Sequence, residues 1–296
     1  MRHDKPQAPL LVADAGSTKT AWFHATPDGQ RKYIRTGGIN PALQDDEAIL
    51  AVLRDELLPR LLPPGGKEAG CHVYYYGAGC IPSQCGRMER LLAATLPCES
   101  VEVRSDLWGA ARALCGHEAG IACILGTGAN SCLYDGTDIT AHVAPLGYVL
   151  GDEGSGAALG KRLVADILKG LLPEELCREF SATYGWDEAD IVRKVYREPG
   201  ANRFLASLTP FLKMHADHPA IHALLEDCFD DFFARNVEPY SPGSLPVHFT
   251  GSIAFHFQTE LKEAAGKRQL RIGKIQQNPL EEMLEYHLTA FEAGEL

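Results

Sequence analysis

Residues 10–18 of the chain read LLVADAGST, an apolar run that ends in small and polar residues. The run has the character of a buried strand, and residues 20–23 after it are strand-like again. Residues 122–130 read ACILGTGAN and repeat this order, with a second strand at residues 132–134. In both places a turn with Asp-Gly follows. The repeated order of strand, loop, strand and turn predicts two related halves.

The remaining segments alternate between strand and helix patterns. Strands are expected at residues 71–76 and 100–104, each followed by a helix, and another at residues 247–250. Residues 154–236 carry mostly helical periodicity, and a last helix is expected over residues 280–291. The sequence therefore predicts a mixed α/β fold.

The composition is that of a globular protein. Of 296 residues, 45% are hydrophobic and 23% are charged, and the formal net charge is −11. This acidity argues against a nucleic-acid partner and against docking on an anionic membrane. No run has the roughly 18–20 apolar residues of a membrane-spanning helix, and no secretory signal is apparent. The nine cysteines, an odd number without a CxxC pattern, predict reduced thiols in a cytoplasmic protein.

The loop after the first strand has residue types that bind a phosphate. Gly16, Ser17, Thr18 and Lys19 offer backbone amides, two hydroxyls and an ammonium group. Asp14 at the strand end can hold a divalent ion, usually through water. A strand follows instead of a helix, so this is not the G-x-x-x-x-G-K-[ST] nucleotide loop. A tight hairpin with incidental polar residues is the alternative.

Two further loops place small residues at strand ends. Thr127 lies between Gly126 and Gly128, which suits a phosphate oxygen. Gly251 and Ser252 lie between the last predicted strand and its helix, where nucleotides often bind in α/β proteins, although a simple tight turn explains them nearly as well. We expect the loops of the two halves to hold one polyphosphate.

Two acidic segments are candidates for the chemistry. Asp106 follows a strand and opens a helix, where Ser105 or Asp106 would cap the helix, or Asp106 would accept a proton from a hydroxyl. Residues 147–156 contain four glycines around Asp152 and Glu153. Acids near a helix N-terminus are favourable in any case, but the glycines imply a backbone held close to a ligand.

Two other groups have only a superficial likeness to metal or redox sites. His215, His218 and His222 are closely spaced, but a proline falls among them and no second ligand group accompanies them. Cys80 and Cys85 flank a short polar loop, and a metal or redox site there is not favoured.

Six motifs together resemble the N-acetylglucosamine kinase group, also called the BadF/BadG/BcrA/BcrD ATPase family, of the sugar kinase/Hsp70/actin superfamily. In chain order they are residues 14–20 (DAGSTKT), 37–41 (GGINP), 105–106 (SD), 125–130 (LGTGAN), 147–155 (GYVLGDEGS) and 249–253 (FTGSI). Each motif alone is weak, but six in this order cover nearly the whole chain.

The resemblance implies two ribonuclease-H-like, actin-like ATPase domains with a cleft between them that takes ATP and Mg²⁺. The N-terminal domain would span residues 1–116. The larger C-terminal domain would span residues 117–296 with a helical insertion, and its final helix either stays there or packs back on the N-terminal domain. A homodimer is compatible with this arrangement.

The resemblance also assigns roles by position. Asp106 would be the catalytic base, and Asp14 would hold Mg²⁺ through water. The residues implied for ATP are Asp14, Gly16, Ser17, Thr18, Lys19, Thr127, Gly128, Gly251 and Ser252. The residues implied for the sugar are Asn40, Asp106, Asn130, Gly147 and Asp152. Family members often have Ser where this chain has Ala129, which removes one sugar or phosphate contact.

The implied activity is cytoplasmic ATP-dependent phosphorylation of an amino sugar at the 6-hydroxyl of N-acetylglucosamine, with N-acetylmuramic acid and glucosamine as competing substrates. A related alternative is the ATPase that activates a 2-hydroxyacyl-CoA dehydratase. That protein needs cysteines for a [4Fe–4S] cluster, and residues 151–155 contain none. Another alternative is a non-catalytic sugar sensor, which usually carries a fused DNA-binding segment.

Overall fold

The structure is a computed structural model that describes residues 8–16, 18–62 and 70–293, with the side chains of residues 291–293 excepted. The chain forms two compact units by its internal contacts. One unit comprises Met1–Gly116 with Pro279–Leu296, and the other comprises His117–Asn278.

In the described part of the first unit, a five-stranded sheet has the order β3-β2-β1-β4-β5. The strands are β1 (Leu10–Ala15), β2 (Lys19–Ala25), β3 (Arg31–Gly37), β4 (Cys71–Gly77) and β5 (Cys98–Ser105). β1, β2 and β3 are antiparallel neighbours, whereas β4 and β5 run parallel to β1. Asp14 pairs with Tyr76 in β4, and Gly77 pairs with Ser105 in β5. The three parallel strands therefore end at one edge of the sheet.

Helices cover both faces of this sheet. They are α1 (Asp46–Ala51), a π-helical stretch (Val52–Leu57), α2 (Leu58–Leu61), α3 (Pro82–Thr95), α4 (Asp106–Cys115) and, from the end of the chain, α14 (Leu280–Ala293). Leu11 and Ala13 of β1 pack in a core with residues of α1 and α3, and Leu10 and Val12 pack in another with residues of α4 and α14. Because both faces of β1 are buried, the strand is a continuous apolar run instead of an alternating one.

The second unit repeats the strand arrangement. In its described residues the sheet has the order β10-β9-β6-β7-β8. The strands are β6 (Gly120–Leu125), β7 (Ala129–Tyr134), β8 (Ile139–His142), β9 (Val247–Thr250) and β10 (Ile272–Gln276). As around β1, an antiparallel hairpin flanks β6 on one side and parallel strands flank it on the other. The α/β fold with two halves of one design, predicted from the repeated strand and loop, is thereby confirmed.

The helices of the second unit form most of its remaining residues. They are α5 (Gly147–Leu150), α6 (Gly156–Leu168), α7 (Glu174–Tyr184), α8 (Glu188–Tyr196), α9 (Ala201–Ala206), α10 (Thr209–Met214), α11 (Pro219–Phe232), α12 (Ser252–His256) and α13 (Gln258–Lys267). After α11 the chain continues through a π-helical stretch (Phe233–Val237) and a 3-10 turn (Glu238–Tyr240). In the part of the chain that the structure describes, no helix is both long and apolar enough to cross a membrane.

Two strands, β8 and β10, are not predicted from the sequence. Both lie at an edge of the sheet, and neither contains a fully buried residue. An edge strand buries little side-chain surface, so the apolar signal that predicts a strand is weak there. Within the segment predicted to be mostly helical, α11 begins at Pro219, since proline is favourable in the first helical turn and the His218 side chain accepts a hydrogen bond from Ala220 N.

Candidate active site

Two carboxylates lie at the carboxyl edge of the first sheet. Asp14 is near the end of β1, and Asp106 is the first residue of α4, directly after β5. The pKa of Asp14 is raised to about 6, mainly by burial and then by the negative charge of Asp106, while Lys19 lowers it. A desolvated carboxylate beside a second one is a favourable place for a divalent cation.

The local geometry at Asp106 is not that of an ordinary helix cap. Ser105 has the extended backbone of a cap residue, but its side chain makes no capping hydrogen bond to the described residues. Asp106 Oδ1 accepts a hydrogen bond from the next amide, Leu107 N, at 2.9 Å. This bond orients the carboxylate at the end of β5.

Asn40 belongs to the same edge of the first unit. Its side chain is only 8% exposed, and a Cβ built on Gly79 would lie 2.0 Å from its Oδ1 atom. Gly79 has φ +79° and follows the end of β4. The neighbouring Ala78 N donates to Ala15 O of β1 at 2.8 Å. The structure therefore brings Asn40 to the loop that lies beside the end of β1.

The first predicted phosphate loop forms a tight turn between β1 and β2. Gly16 N donates to Lys19 O at 2.9 Å, and Thr18 and Lys19 are exposed. Ser17 lies outside the described residues. The hydroxyl of Thr18 and the ammonium group of Lys19 are accessible to a ligand at this edge.

The second predicted phosphate loop lies against the start of α6. Gly126 N donates to Gly128 O at 2.9 Å, so the loop closes on itself. Gly156 N and Ala157 N at the beginning of α6 donate to Gly126 O and Thr127 O at 2.8 Å and 3.1 Å. Because α6 fixes these carbonyls, the loop has a defined conformation, with Thr127 exposed.

Asp152 links this phosphate loop to the glycine-rich segment that was predicted to bind the sugar. Its Oδ1 atom accepts a hydrogen bond from Ala129 N at 3.3 Å, and a Cβ on Gly128 would lie 3.0 Å from its Oδ2 atom. Burial raises the pKa of Asp152, and the Ala129 hydrogen bond lowers it. The neighbouring Gly147 has φ +73° and is exposed at the start of α5. One oxygen of the Asp152 carboxylate is thus engaged in a hydrogen bond with the second phosphate loop.

Asn130 and Gly251 complete the predicted set of the second unit. Asn130 Oδ1 accepts a hydrogen bond from Ser131 N at 3.0 Å and lies 2.9 Å from His142 Nε2. Gly251 has φ +114°, and a Cβ there would lie 2.3 Å from Leu125 O. Only glycine fits this junction between β9 and α12, where Ser252 is exposed. Apart from Gly147, the predicted residues of the second unit therefore gather at the edge where β6 and β9 end and β7 begins.

Several residues that support these loops are not found by sequence reasoning. Arg87 donates to Pro41 O at 2.6 Å and to Gln44 O at 2.9 Å, and so fixes the segment after Asn40. Asn236 Nδ2 donates to Glu153 Oε2 at 3.2 Å. These side chains are far in sequence from the loops they contact, so no local motif indicates them.

The histidine and cysteine groups that only superficially resemble metal or redox sites have contacts common on protein surfaces and in cores. His215, His218 and His222 lie beside three different glutamates, Glu179, Glu175 and Glu263, at 3.1 Å, 3.6 Å and 2.8 Å. Within the described residues, no group of three or more His, Cys, Asp or Glu side chains could hold a metal ion. All nine cysteines, Cys80 and Cys85 among them, are free thiols.

Comparison with solved structures identifies relatives over nearly the full chain. A structure from Porphyromonas gingivalis, described as a "putative N-acetylglucosamine kinase", is 47% identical, with 95% of this chain and 99% of that chain covered and a TM-score of 0.89. A protein of the same description from Chromobacterium violaceum is 24% identical, with 94% and 98% covered and a TM-score of 0.74. The ethanolamine utilization protein EutJ from Carboxydothermus hydrogenoformans is 14% identical, with 97% and 91% covered and a TM-score of 0.54.

The last two similarities show a shared fold alone. No family model and no curated protein matches the chain. The 47% identity to the Porphyromonas gingivalis protein, however, extends over nearly the whole length of both chains. This chain therefore belongs to the N-acetylglucosamine kinase-like group of the BadF/BadG/BcrA/BcrD ATPase family, within the sugar kinase/Hsp70/actin superfamily.

Proposed function

We propose that this protein is an ATP-dependent amino-sugar kinase that transfers the γ-phosphate to the 6-hydroxyl of N-acetylglucosamine. Its family membership supports the kinase activity and the sugar acceptor. The structural observation that carries the proposal is the pair Asp14 and Asp106, two carboxylates at the ends of β1 and β5, the strands that flank β4, where the charge of Asp106 contributes to the raised pKa of Asp14. Phosphoryl transfer to a sugar needs such a pair, one for the metal and one for the hydroxyl proton.

The residues at the edge of the first sheet fit Mg²⁺. Asp14 offers a hard oxygen ligand, and its pKa is raised mainly by burial and then by the negative charge of Asp106, both of which a divalent cation would offset. When bound, Mg²⁺ neutralises charge on the phosphates of ATP. Asp14 would hold it through water, as part of a site otherwise completed by phosphate oxygens.

The acidic chain has means to bind the ATP anion without a basic surface. The proposed phosphate contacts are Gly16, Ser17, Thr18, Lys19, Thr127 and Gly128, and the proposed adenosine contacts are Gly251 and Ser252. Backbone amides of such small-residue loops attract phosphate oxygens, and Lys19 adds one positive charge. The absence of a side chain at Gly251 lets the start of α12 lie against Leu125 O at the end of β6.

Asp106 is the proposed base. As the sugar oxygen forms its bond to the γ-phosphorus and the bond from that phosphorus to the bridging oxygen breaks, the hydroxyl proton passes to the Asp106 carboxylate. The sugar is proposed to contact Asn40, Asn130, Gly147 and Asp152 as well. Most of the rate enhancement in such a reaction comes from positioning and from stabilisation of phosphate charge. The hydrogen bond from Leu107 N fixes the orientation that Asp106 needs.

A coupled assay of ADP release tests the proposal. N-Acetylglucosamine, N-acetylmuramic acid, glucosamine and glucose are compared at saturating MgATP, and we expect the highest kcat/KM with N-acetylglucosamine. Phosphate position is then read from the product by NMR. A higher kcat/KM with another sugar corrects the substrate, and no sugar-dependent ADP release contradicts the kinase proposal. We propose the cytoplasm as its location, because the cytoplasm supplies ATP and keeps thiols reduced.

A further inference from the structure

The helix that follows the Asn40 loop changes its winding in the middle. Between α1 and α2, residues Val52–Leu57 form a π-helical stretch in which Leu58 N donates to Leu53 O, five residues back. The buried residues of the whole helix are spaced by four: Ile49, Leu53, Leu57 and Leu61. At 3.6 residues per turn, positions four apart rotate by roughly 40° per step. The wider turn offsets this rotation and keeps all four side chains towards the core.

The π-helical stretch also carries Glu56, which contacts the start of the loop formed by residues 37–40, the Asn40 loop. Glu56 Oε2 accepts a hydrogen bond from Gly37 N at 2.8 Å, and a Cβ on Gly37 would lie 3.1 Å from Glu56 Oε1. Gly37 is the last residue of β3 and the first of the Gly37-Gly38-Ile39-Asn40 loop. A hydrogen bond between a carboxylate and an amide is stronger than one between neutral groups. Glu56 therefore fixes the point at which the loop leaves the sheet.

Gln44 fixes the other part of the loop. Asn40 N donates to Gln44 Oε1 at 2.6 Å, and Gln44 Nε2 donates to Gly38 O at 3.2 Å. Together, Glu56 and Gln44 contact the backbone at both ends of this loop. The buried Asn40 side chain, whose Oδ1 atom accepts a hydrogen bond from Ala42 N at 3.0 Å, thus belongs to a loop that is held at both ends.

The second unit has a comparable arrangement. Helix α11 and its π-helical continuation carry fully buried residues at intervals of four: Ile221, Leu225, Phe229, Phe233 and Val237. In the π-helical stretch, Glu238 N donates to Phe233 O, five residues back, and the Asn236 side chain reaches Glu153 beside Asp152. In each unit a π-helical stretch thus places one polar side chain on a loop with a proposed sugar residue. π-Helical turns are frequent at functional sites.

We propose that Glu56 is a positioning residue for the sugar site, which orients Asn40 through Gly37 without touching the sugar itself. The inference rests on the proposed sugar-kinase function. Among the described residues of the proposed substrate and cofactor loops, Glu56 hydrogen-bonds to the Asn40 loop alone, so we expect its loss to affect the sugar more than the nucleotide.

Steady-state kinetics of three variants test the role of Glu56. Glu56→Ala removes the acceptor, Glu56→Gln keeps an amide oxygen as acceptor, and Asp55→Ala is the control at the exposed neighbouring position. For Glu56→Ala we expect the KM of the sugar to rise about tenfold. This is less than the roughly 100-fold loss of rate that a displacement of about 1 Å in an active site can cause. The KM of ATP should stay within about twofold, and Glu56→Gln should recover most of the loss. Asp55→Ala should match the wild-type protein.

Hydrogen–deuterium exchange of residues 37–44 gives a readout that does not depend on turnover, and it should speed up in Glu56→Ala. If Glu56→Ala does not fold, Glu56→Asp, whose shorter side chain does not reach Gly37, takes its place. An unchanged sugar KM, or an equal rise in both KM values, overturns the inference while the proposed function stands. Absence of sugar turnover in the wild-type protein contradicts the proposed function and this inference together.

Discussion

Asp14 and Asp106 lie at the same end of the first sheet, where burial and then the negative charge of Asp106 raise the pKa of Asp14 to about 6. The two residues are 92 positions apart in the sequence, but β1 and β5 flank β4 and end at the same edge. Two carboxylates held together without a cation raise the free energy of the folded protein, because each disfavours ionisation of the other. Such a cost in the ligand-free protein is expected where a cation binds.

Replacement of Asp14 by Asn should stabilise the ligand-free protein at neutral and alkaline pH. The folded-state pKa of about 6 exceeds the usual value of 3.8, so folding stability falls as pH rises through this interval. Since Asp14 is only partly buried, we expect a gain of about 1–2 kcal/mol in the free energy of unfolding at pH 8 and almost none below pH 4. Urea denaturation without Mg²⁺ or nucleotide measures it, with Asp55→Asn as the exposed control. A destabilised Asp14→Asn protein at pH 8 would contradict the account.

Replacement of Asp106 by Asn should abolish most of the turnover and spare nucleotide binding. The amide has the shape of the carboxylate but does not accept the hydroxyl proton, so we expect kcat to fall on the order of 10²–10⁴-fold. Loss of its negative charge should also lower the pKa of Asp14 towards the usual value. Single-turnover kinetics measure the loss of turnover, and calorimetric titration with ADP measures the retained nucleotide binding. Near-normal turnover would remove Asp106 from the role of base.

Gly251→Ala should distort the junction between β9 and α12. Its φ of +114° is unfavourable for alanine, and the added Cβ would lie 2.3 Å from Leu125 O. We expect about 2–4 kcal/mol of lost stability, together with weaker ADP binding. Gly185→Ala is the matched control, because Gly185 also has a positive φ, +64°, but a Cβ there meets no atom within 4 Å. Equal effects of both variants on ADP binding would show that the close approach to Leu125 is unimportant.

The loops near Asp14 and Thr127 can be predicted from the sequence because each is a local pattern: an apolar strand, small residues and a second strand. Contacts between distant segments leave no such pattern. The hydrogen bond from Asn236 to Glu153 spans 83 positions, and neither residue type indicates a partner. The π-helical winding near Glu56 is visible only as a four-residue spacing of buried side chains, which also suits an α-helix over short lengths. Sequence reasoning therefore identifies the loops and misses the residues that orient them.

His287 is another residue of this kind, since it contacts Tyr76 across 211 positions of the sequence. The histidine of α14 is 1% exposed, and its ring stacks on Tyr74 at 3.6 Å between centroids. Arg112 donates to the Tyr76 hydroxyl at 2.6 Å, which leaves the hydroxyl proton for His287 Nε2 at 2.7 Å. Burial, and then the charge of Arg112, lowers the pKa of His287 to about 2. The neutral ring is thus a structural part of the first unit.

His287→Ala should destabilise the protein by about 2–4 kcal/mol at pH 8, since it opens a cavity beside Tyr74. A histidine with a lowered folded-state pKa contributes its full stability above pH 6.5 and loses it as pH falls. At pH 5 the difference between wild type and variant should therefore shrink by about 2 kcal/mol. Denaturation at both pH values measures it, with Glu285→Ala at an exposed position of α14 as the control. A difference between wild type and His287→Ala that stays constant from pH 8 to pH 5 would mean that His287 is not a buried neutral ring.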